Sequence, residues 1–539
     1  MNTRKRAMRG LLGCLILVPL ALSGCAAHSG AGSGSAGAAE TIVLAAQGEV
    51  PPMDPHRMTG TIGLRVSDAL YDTLVREDLA ATTAGAAELQ PALAESWVIS
   101  EDGLQYDFVI REGVEFHDGA VLDAAAVKLN FDRILDESSP VFSEAAAANM
   151  KYLTRWIAAT EVTPEGTFRV TLLQPFPEFE NLLIDRRMGI ISPTLLESAD
   201  DDTIAASPSG TGPYTSEGIA QGKDITLTRN EDYWRGVPET PQLLFTTISD
   251  ANTMVSALQT GQIDVILSAG AGQISQLEGS DTVTIQYPEP ANSYFIRLNT
   301  QAEGISDPRV RQALNFAVDR EGIAAVTNGQ ALPLTGAIPQ GNAAWEDGVS
   351  SEYDYDPERA RELLAEAGVE TPFSISLMAP SEGPGFSQSR EVMSLVQEDF
   401  ADVGVDLDVQ FMEFTSMVAL EAPGYTPDIA GSFNGWTTGT DLAYWLENMF
   451  SPALVPPTGV NRGWYDDPAL TDIFAAGRAE QDPEARADIY RQAGAIIDDG
   501  APWVFLYQDR LPRAFSSSVS GPVEAPSVFF DYTTLQKSA

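Results

Sequence analysis

The chain has 539 residues, 44% of them hydrophobic and 20% charged, so it is a folded protein of two to four domains at roughly 100–200 residues each. Its 32 Lys and Arg face 76 Asp and Glu, a net charge of −44 that excludes a general nucleic-acid binder, because phosphate contacts need a basic footprint. The two cysteines, Cys14 and Cys25, fall at the start, so the body has no disulfide, no thiolate nucleophile and no Cys-based zinc site.

The first element is an address. Arg4, Lys5, Arg6 and Arg9 precede a short apolar run, Leu11 to Leu22. The run is short of the ~20 residues a membrane span needs, and it reads as a signal peptide, residues 1–24. It ends in Leu22-Ser23-Gly24-Cys25, which resembles the bacterial lipobox and predicts cleavage before Cys25 and lipidation of its thiol. Residues 25–39 are a Gly/Ser-rich tether.

The body mixes strands and helices and has no 20–50-residue repeat. Thr41 to Ala45 reads as a buried strand, and Tyr106 to Ile110 and Phe168 to Leu172 as alternating ones. Val127, Phe131, Ile134 and Leu135 share a helical face behind Asp123, a candidate cap. Four Asp-Pro pairs, at Asp307, Asp356, Asp467 and Asp482, each open a helical pattern: Asp caps free N–H groups, and Pro fits the first position. Gly368 follows Leu363, Leu364 and Ala367 as a left-handed stop. His117-Asp118-Gly119 reads as a turn rather than a catalytic group. His56 has no third metal-ligand partner, and no metal or other cofactor is expected. Arg309 and Arg311 read as a solvated helix face. There is no Gly-x-Ser-x-Gly motif, and no catalytic activity is expected.

Longer blocks carry a resemblance. They are Glu49 to His56, Ala69 to Val75, Pro91 to Trp97 and Ile110-Arg111-Glu112-Gly113-Val114-Glu115-Phe116-His117-Asp118-Gly119. Then come Gly210-Thr211-Gly212-Pro213-Tyr214, Arg229 to Trp234, Asp307 to Arg320, Gly435-Trp436 and Ala501 to Tyr507. In that order they resemble the family 5 solute-binding proteins, the peptide-type receptors of ABC importers, from about residue 41 to 520.

The resemblance implies an α/β fold of the periplasmic-binding-protein type II kind, in its large three-domain, two-lobe form. Domain I would be discontinuous, residues 40–61, 206–288 and 509–539. Domain II, 62–205, would be inserted, and domain III, 289–508, would be the second lobe. It implies an extracytoplasmic monomer anchored by lipid, working with permease subunits and binding a small-molecule or peptide ligand between lobes.

It also implies the site. Glu49 and Val50 follow the first strand, where relatives bring the chain close to the ligand. Tyr294, with Phe295 and Asn299, lies at the crossover between lobes. Arg390 is a candidate for a ligand carboxylate. In Asn434-Gly435-Trp436-Thr437-Thr438-Gly439-Thr440-Asp441, Trp436 would stack on the ligand. Peptide receptors of the family carry an Asp three residues after this Trp, which pairs with the peptide's α-ammonium. Here that residue is Gly439, and Asp441 lies two further on. The alternative ligand, an oligosaccharide, opine or other conjugate, would use Trp436 with hydrogen bonds from Asn434, Thr437 and Thr440.

Overall fold

The computed structural model describes residues 41–538 apart from 49–50, 52, 59, 81–87, 221, 223, 289–291, 328–330, 347–352, 382–385, 387, 438–441, 522–528 and 530. The signal peptide, the Cys25 lipobox and the tether lie outside them. Three sheets organise the chain.

Thr41–Ala46 is an apolar run, and it lies inside a seven-stranded sheet, parallel to Gln242–Thr247 on one side and to Val265–Ile266 on the other. A run apolar on both faces suits a strand covered on both faces. Ile225–Arg229 and Tyr214–Thr215 extend one edge, and Arg513–Ser516 and Val283–Gln286 extend the other. The sheet therefore joins both ends of the described chain. Lys537 Nζ donates to Thr41 O at 3.1 Å and pairs with Asp264 at 2.7 Å.

Between the first strand and its return at Tyr214 the chain builds a four-stranded antiparallel sheet: Ala94–Ile99, Gln105–Ile110, Phe168–Leu172 and Ile157–Val162 in spatial order. Alternation sends Tyr106, Phe108 and Ile110 inward, as the sequence predicts. Helix Ala124–Leu135 covers them with Val127, Phe131 and Ile134, and Asp123 caps it by accepting from Ala126 N–H at 2.8 Å. The opposite face is open, with Val98 and Val109 in water.

This inserted sheet is fastened to the first by buried polar contacts. Arg133 pairs with Asp54 at 2.6 Å and Asp201 at 2.7 Å. His117 sits on the carbonyl of Gly212 at 3.0 Å, and the Asp118-Gly119 turn follows with φ +84° at the glycine. Gly210 and Gly212 press against the backbone of Leu70, where a Cβ would come within 2.2 and 2.4 Å. That close approach explains the small residues of the Gly-Thr-Gly-Pro-Tyr block.

Arg133 Nη1 also donates to His56 Nδ1 at 3.1 Å. Burial first, and the guanidinium second, push the His56 ring down to about 3. A histidine that protonates more readily when unfolded adds stability above the unfolded value near 6.5, and that stability is lost as pH falls toward 3. The slope is up to about 1.4 kcal/mol per pH unit. Asp68 and Asp399, both pushed up to about 6 by burial, act in the opposite sense. His56→Gln isolates the histidine's share. Urea midpoints between pH 7 and 4.5 should fall less steeply for the variant than for wild type, and parallel curves would exclude this role.

The third sheet has six strands, in the order Ala331–Pro333, Trp503–Asp509, Asn292–Leu298, Gly431–Thr437, Phe373–Pro380 and Val405–Met412. Its helices begin where the sequence predicts. Asp307, Asp356, Asp467 and Asp482 each accept a hydrogen bond from the first turn, with proline leading each helix. Gly368 takes φ +74° after helix Pro357–Glu366.

Arg311 corrects the expectation of a solvated face. Arg309 is exposed and pairs with Asp307, but Arg311 is buried. Its guanidinium donates to the carbonyls of Ile305, Ser306, Gly500 and Ala501 at 2.6–3.2 Å. Gly500 closes helix Pro483–Gly500, and the last carbonyls of a helix lack partners within it. Arg311 supplies them.

Candidate functional site

Two passages connect the seven-stranded and six-stranded sheets. One leads from Val283–Gln286 into Asn292–Leu298, and the other from Trp503–Asp509 into Arg513–Ser516. The two run side by side, because Asn292 pairs with Asp509 across the ladder. On the other side of Asn292 lies the end of Gly431–Thr437, with Thr437 opposite Asn292 and Trp436 opposite Ser293. The row Asp509, Asn292, Thr437 therefore sits where the chain crosses between sheets. Gly431–Thr437 runs parallel to Phe373–Pro380, so Trp436 and Thr437 lie toward the carboxyl ends of the parallel strands. In open α/β sheets ligands bind beyond such ends.

The predicted residues divide. Glu49, Val50, Thr440 and Asp441 lie outside the described residues. Trp436 is half-buried, with one side against the core and the rest accessible. Tyr294 is buried and stacks on Tyr507, with ring centroids 4.6 Å apart at 12°. Gly435 lies under it, and a Cβ there would approach Tyr294 Cε1 to 2.7 Å, so the Gly-Trp step leaves room for the tyrosine ring. Phe295 stacks on Trp503 in the core at 3.5 Å. Asn299 donates to the carbonyls of Thr426 and Ile429. Arg390 is exposed, with its guanidinium 4.3 Å from the Phe411 ring centre.

Asn434 is buried, and its amide is engaged. Nδ2 donates to Glu421 Oε1 at 3.2 Å and Ser432 Oγ at 2.6 Å. Glu421 itself has no exposure and also pairs with Arg297 at 3.0 Å and Arg462 at 3.3 Å. This carboxylate fixes the strand that carries Trp436 from behind. Sequence reading missed it, because Arg297 is 124 residues from Glu421.

Asp509 was also missed. It closes a strand whose six preceding residues are all buried, and a charged residue at the end of such a run was the available signal. Its Oδ1 accepts from Leu511 N–H at 3.0 Å, at a turn where Leu511 takes φ +47°. Burial raises the carboxyl, and it has no ion-pair partner among the described residues. The Tyr294 and Tyr507 hydroxyls beside it are pushed well above the usual tyrosine range, chiefly by burial.

A separate cavity of about 60 Å³ lies between Arg76, Asp72 and Asp531 and shares no residue with this row. Its charges are largely matched, Arg186 with Asp68 and Glu77, and Arg235 with Asp531. Among the described residues no group of three or more His, Cys, Asp or Glu is arranged to hold a metal, and no helix is long and apolar enough to cross a membrane.

Residues 88–456 match the family model for bacterial extracellular solute-binding proteins, family 5. The chain belongs to this family. Its curated relatives include the glutathione-binding protein GsiB of Escherichia coli (strain K12), 30% identical over 502 residues, 92% of this chain and 94% of the relative. Among solved structures, DppA from Helicobacter pylori in complex with the peptide STSA superposes with a TM-score of 0.81 at 25% identity, covering 93% of this chain and 98% of DppA. AgaA from A.tumefacien R10, in complex with agropinic acid, gives 0.76 at 26% identity, covering 93% of this chain and 99% of AgaA. The α/β fold is thus the type II periplasmic-binding-protein fold. This family 5 protein is a solute-binding protein of the kind that serves ABC importers.

Proposed function

We propose that this family 5 protein is a lipid-anchored extracytoplasmic receptor. It captures a short peptide or peptide-like conjugate with charged ends and delivers it to a permease, without catalysing a reaction. The seven-stranded and inserted sheets form one lobe and the six-stranded sheet the other, with the solute in the cleft between them. The observation that carries this reading is the position of Trp436 and Thr437 at the crossing row, next to Asn292 and one strand away from Asp509, where an aromatic side chain lies near polar residues. The glutathione-binding relative and the peptide-bound DppA support a peptide-like solute. The agropinic-acid complex of AgaA supports a second reading, an opine-type conjugate.

The test is calorimetric titration with reduced glutathione, short peptides, opines and neutral oligosaccharides. Wild type should bind a peptide or glutathione one to one. Trp436→Ala should lose about 2 kcal/mol or more, as a central aromatic contact does. Binding of neutral oligosaccharides alone would reject the reading. The anchor is tested separately. Cys25→Ser should leave an unlipidated precursor, and globomycin should make wild type accumulate as precursor too. Identical processing and release of both would reject the anchor.

A further inference from the structure

The inserted sheet meets the six-stranded sheet's lobe through side chains from distant parts of the chain. Arg486, in the first turn of helix Pro483–Gly500, reaches Glu178 with Nε 3.2 Å from Oε1, across 308 residues of sequence. Both side chains are mostly shielded, 12% and 7% exposed. Nearby, the guanidinium of Arg478 lies 5.6 Å from the ring centre of Trp156. Each arginine is held from its own side. Arg486 Nη1 donates to the carbonyl of Glu480 at 3.1 Å. Arg478 pairs with Glu447 at 2.7 Å, and Glu447 also accepts from the Tyr490 hydroxyl at 2.9 Å. The arginines are therefore aimed before they meet their partners.

The contrast with the other junction is sharp. The inserted sheet is tied to the seven-stranded sheet by the Arg133–Asp54 pair, both side chains 1% exposed, and by His117 on Gly212. The junction with the six-stranded lobe has no such fully buried ion pair among the described residues; there the Arg486–Glu178 pair lies beside apolar side chains of both parts that pack in one cluster.

We propose that Glu178–Arg486, with Arg478 on Trp156, is an affinity-determining contact made when the lobes close. It rests on the two-lobe capture proposed above. It does not touch the solute. Apparent affinity is the intrinsic affinity scaled by the population of the competent state, so a contact confined to the closed state tightens binding from a distance. A charge-assisted pair largely out of water suits this, since opening returns both groups to solvent.

Affinity is read with reduced glutathione and a set of short peptides. Arg486→Gln and Glu178→Gln should each weaken whichever probe wild type binds, about tenfold. The exchanged pair, Glu178→Arg with Arg486→Glu, should recover most of the loss. Wild-type affinity in the single variants, or no recovery in the exchange, would overturn the proposal. A second measurement needs no solute. In the full chain with Cys14→Ser and Cys25→Ser, the added changes Glu178→Cys and Arg486→Cys create the sole cysteine pair. Oxidation should crosslink them and reduce the radius of gyration relative to the reduced protein. Failure to crosslink, or the same radius in both forms, would overturn it. Compaction on crosslinking, in a wild type that binds none of the probes, would uphold the contact and reject the solute class instead.

Discussion

Glu421→Gln is expected to destabilise the protein by about 3–5 kcal/mol, the cost of removing one partner from a buried ion pair. Glu421 has no exposure and accepts from Arg297, Arg462, Ser432 and Asn434. Arg462, 16% exposed, can turn to water when the carboxylate goes. Arg297, 2% exposed, cannot, and its Nε already lacks a hydrogen-bond partner among the described residues. Most of the cost is thus the stranded Arg297 charge rather than the lost attraction. Removing both groups, Glu421→Leu with Arg297→Met, should cost much less than Glu421→Gln alone, because an apolar replacement of a buried pair leaves no charge behind. Urea unfolding of the three proteins checks this. Equal midpoints for wild type and Glu421→Gln would show that the pair is solvated in solution.

The second large effect concerns the solute's ammonium group. A peptide amine enclosed between lobes needs a carboxylate, since an unpaired buried charge is very costly. Under the proposed function Asp441 supplies it, with Glu49 as the other candidate. Asp441→Asn should then cost about 2–5 kcal/mol of binding free energy, as truncating one side of a buried charge pair does. That is roughly 30- to several-thousand-fold in affinity. For a neutral saccharide the same change should cost about 1 kcal/mol, one ordinary hydrogen bond. Calorimetric titration of wild type, Asp441→Asn and Glu49→Gln with short peptides separates the cases. Peptide binding unaffected by either substitution would move the amine site elsewhere, and Asp509 at the crossing row is then the carboxylate to test.

What the sequence revealed and what it hid follow one division. The Asp-Pro caps, the Gly368 stop and the Asp118-Gly119 turn were legible because each is decided within about four residues by groups the backbone itself offers. The alternating strand Gln105–Ile110 was legible for the same reason. Arg311 was not, because two of the carbonyls it satisfies arrive from residues 500 and 501, about 190 positions away. Glu421 and Asp509 were hidden likewise, since what makes them unusual is the company brought by the six-stranded sheet. The Gly-Trp segment was found through resemblance. The structure adds why it lies where it does: its strand is the neighbour of the crossing strand Asn292–Leu298, and its glycine makes room for Tyr294.

In the proposed function a peptide-like solute with a charged amine occupies the cleft beside Trp436. The most direct measurement is mass spectrometry of small molecules released on denaturing the protein purified from the cells that make it. Wild type should release a stoichiometric amine-bearing peptide or conjugate, and Trp436→Ala should have lost it. A neutral saccharide from wild type, or the same solute retained in full by Trp436→Ala, would contradict it.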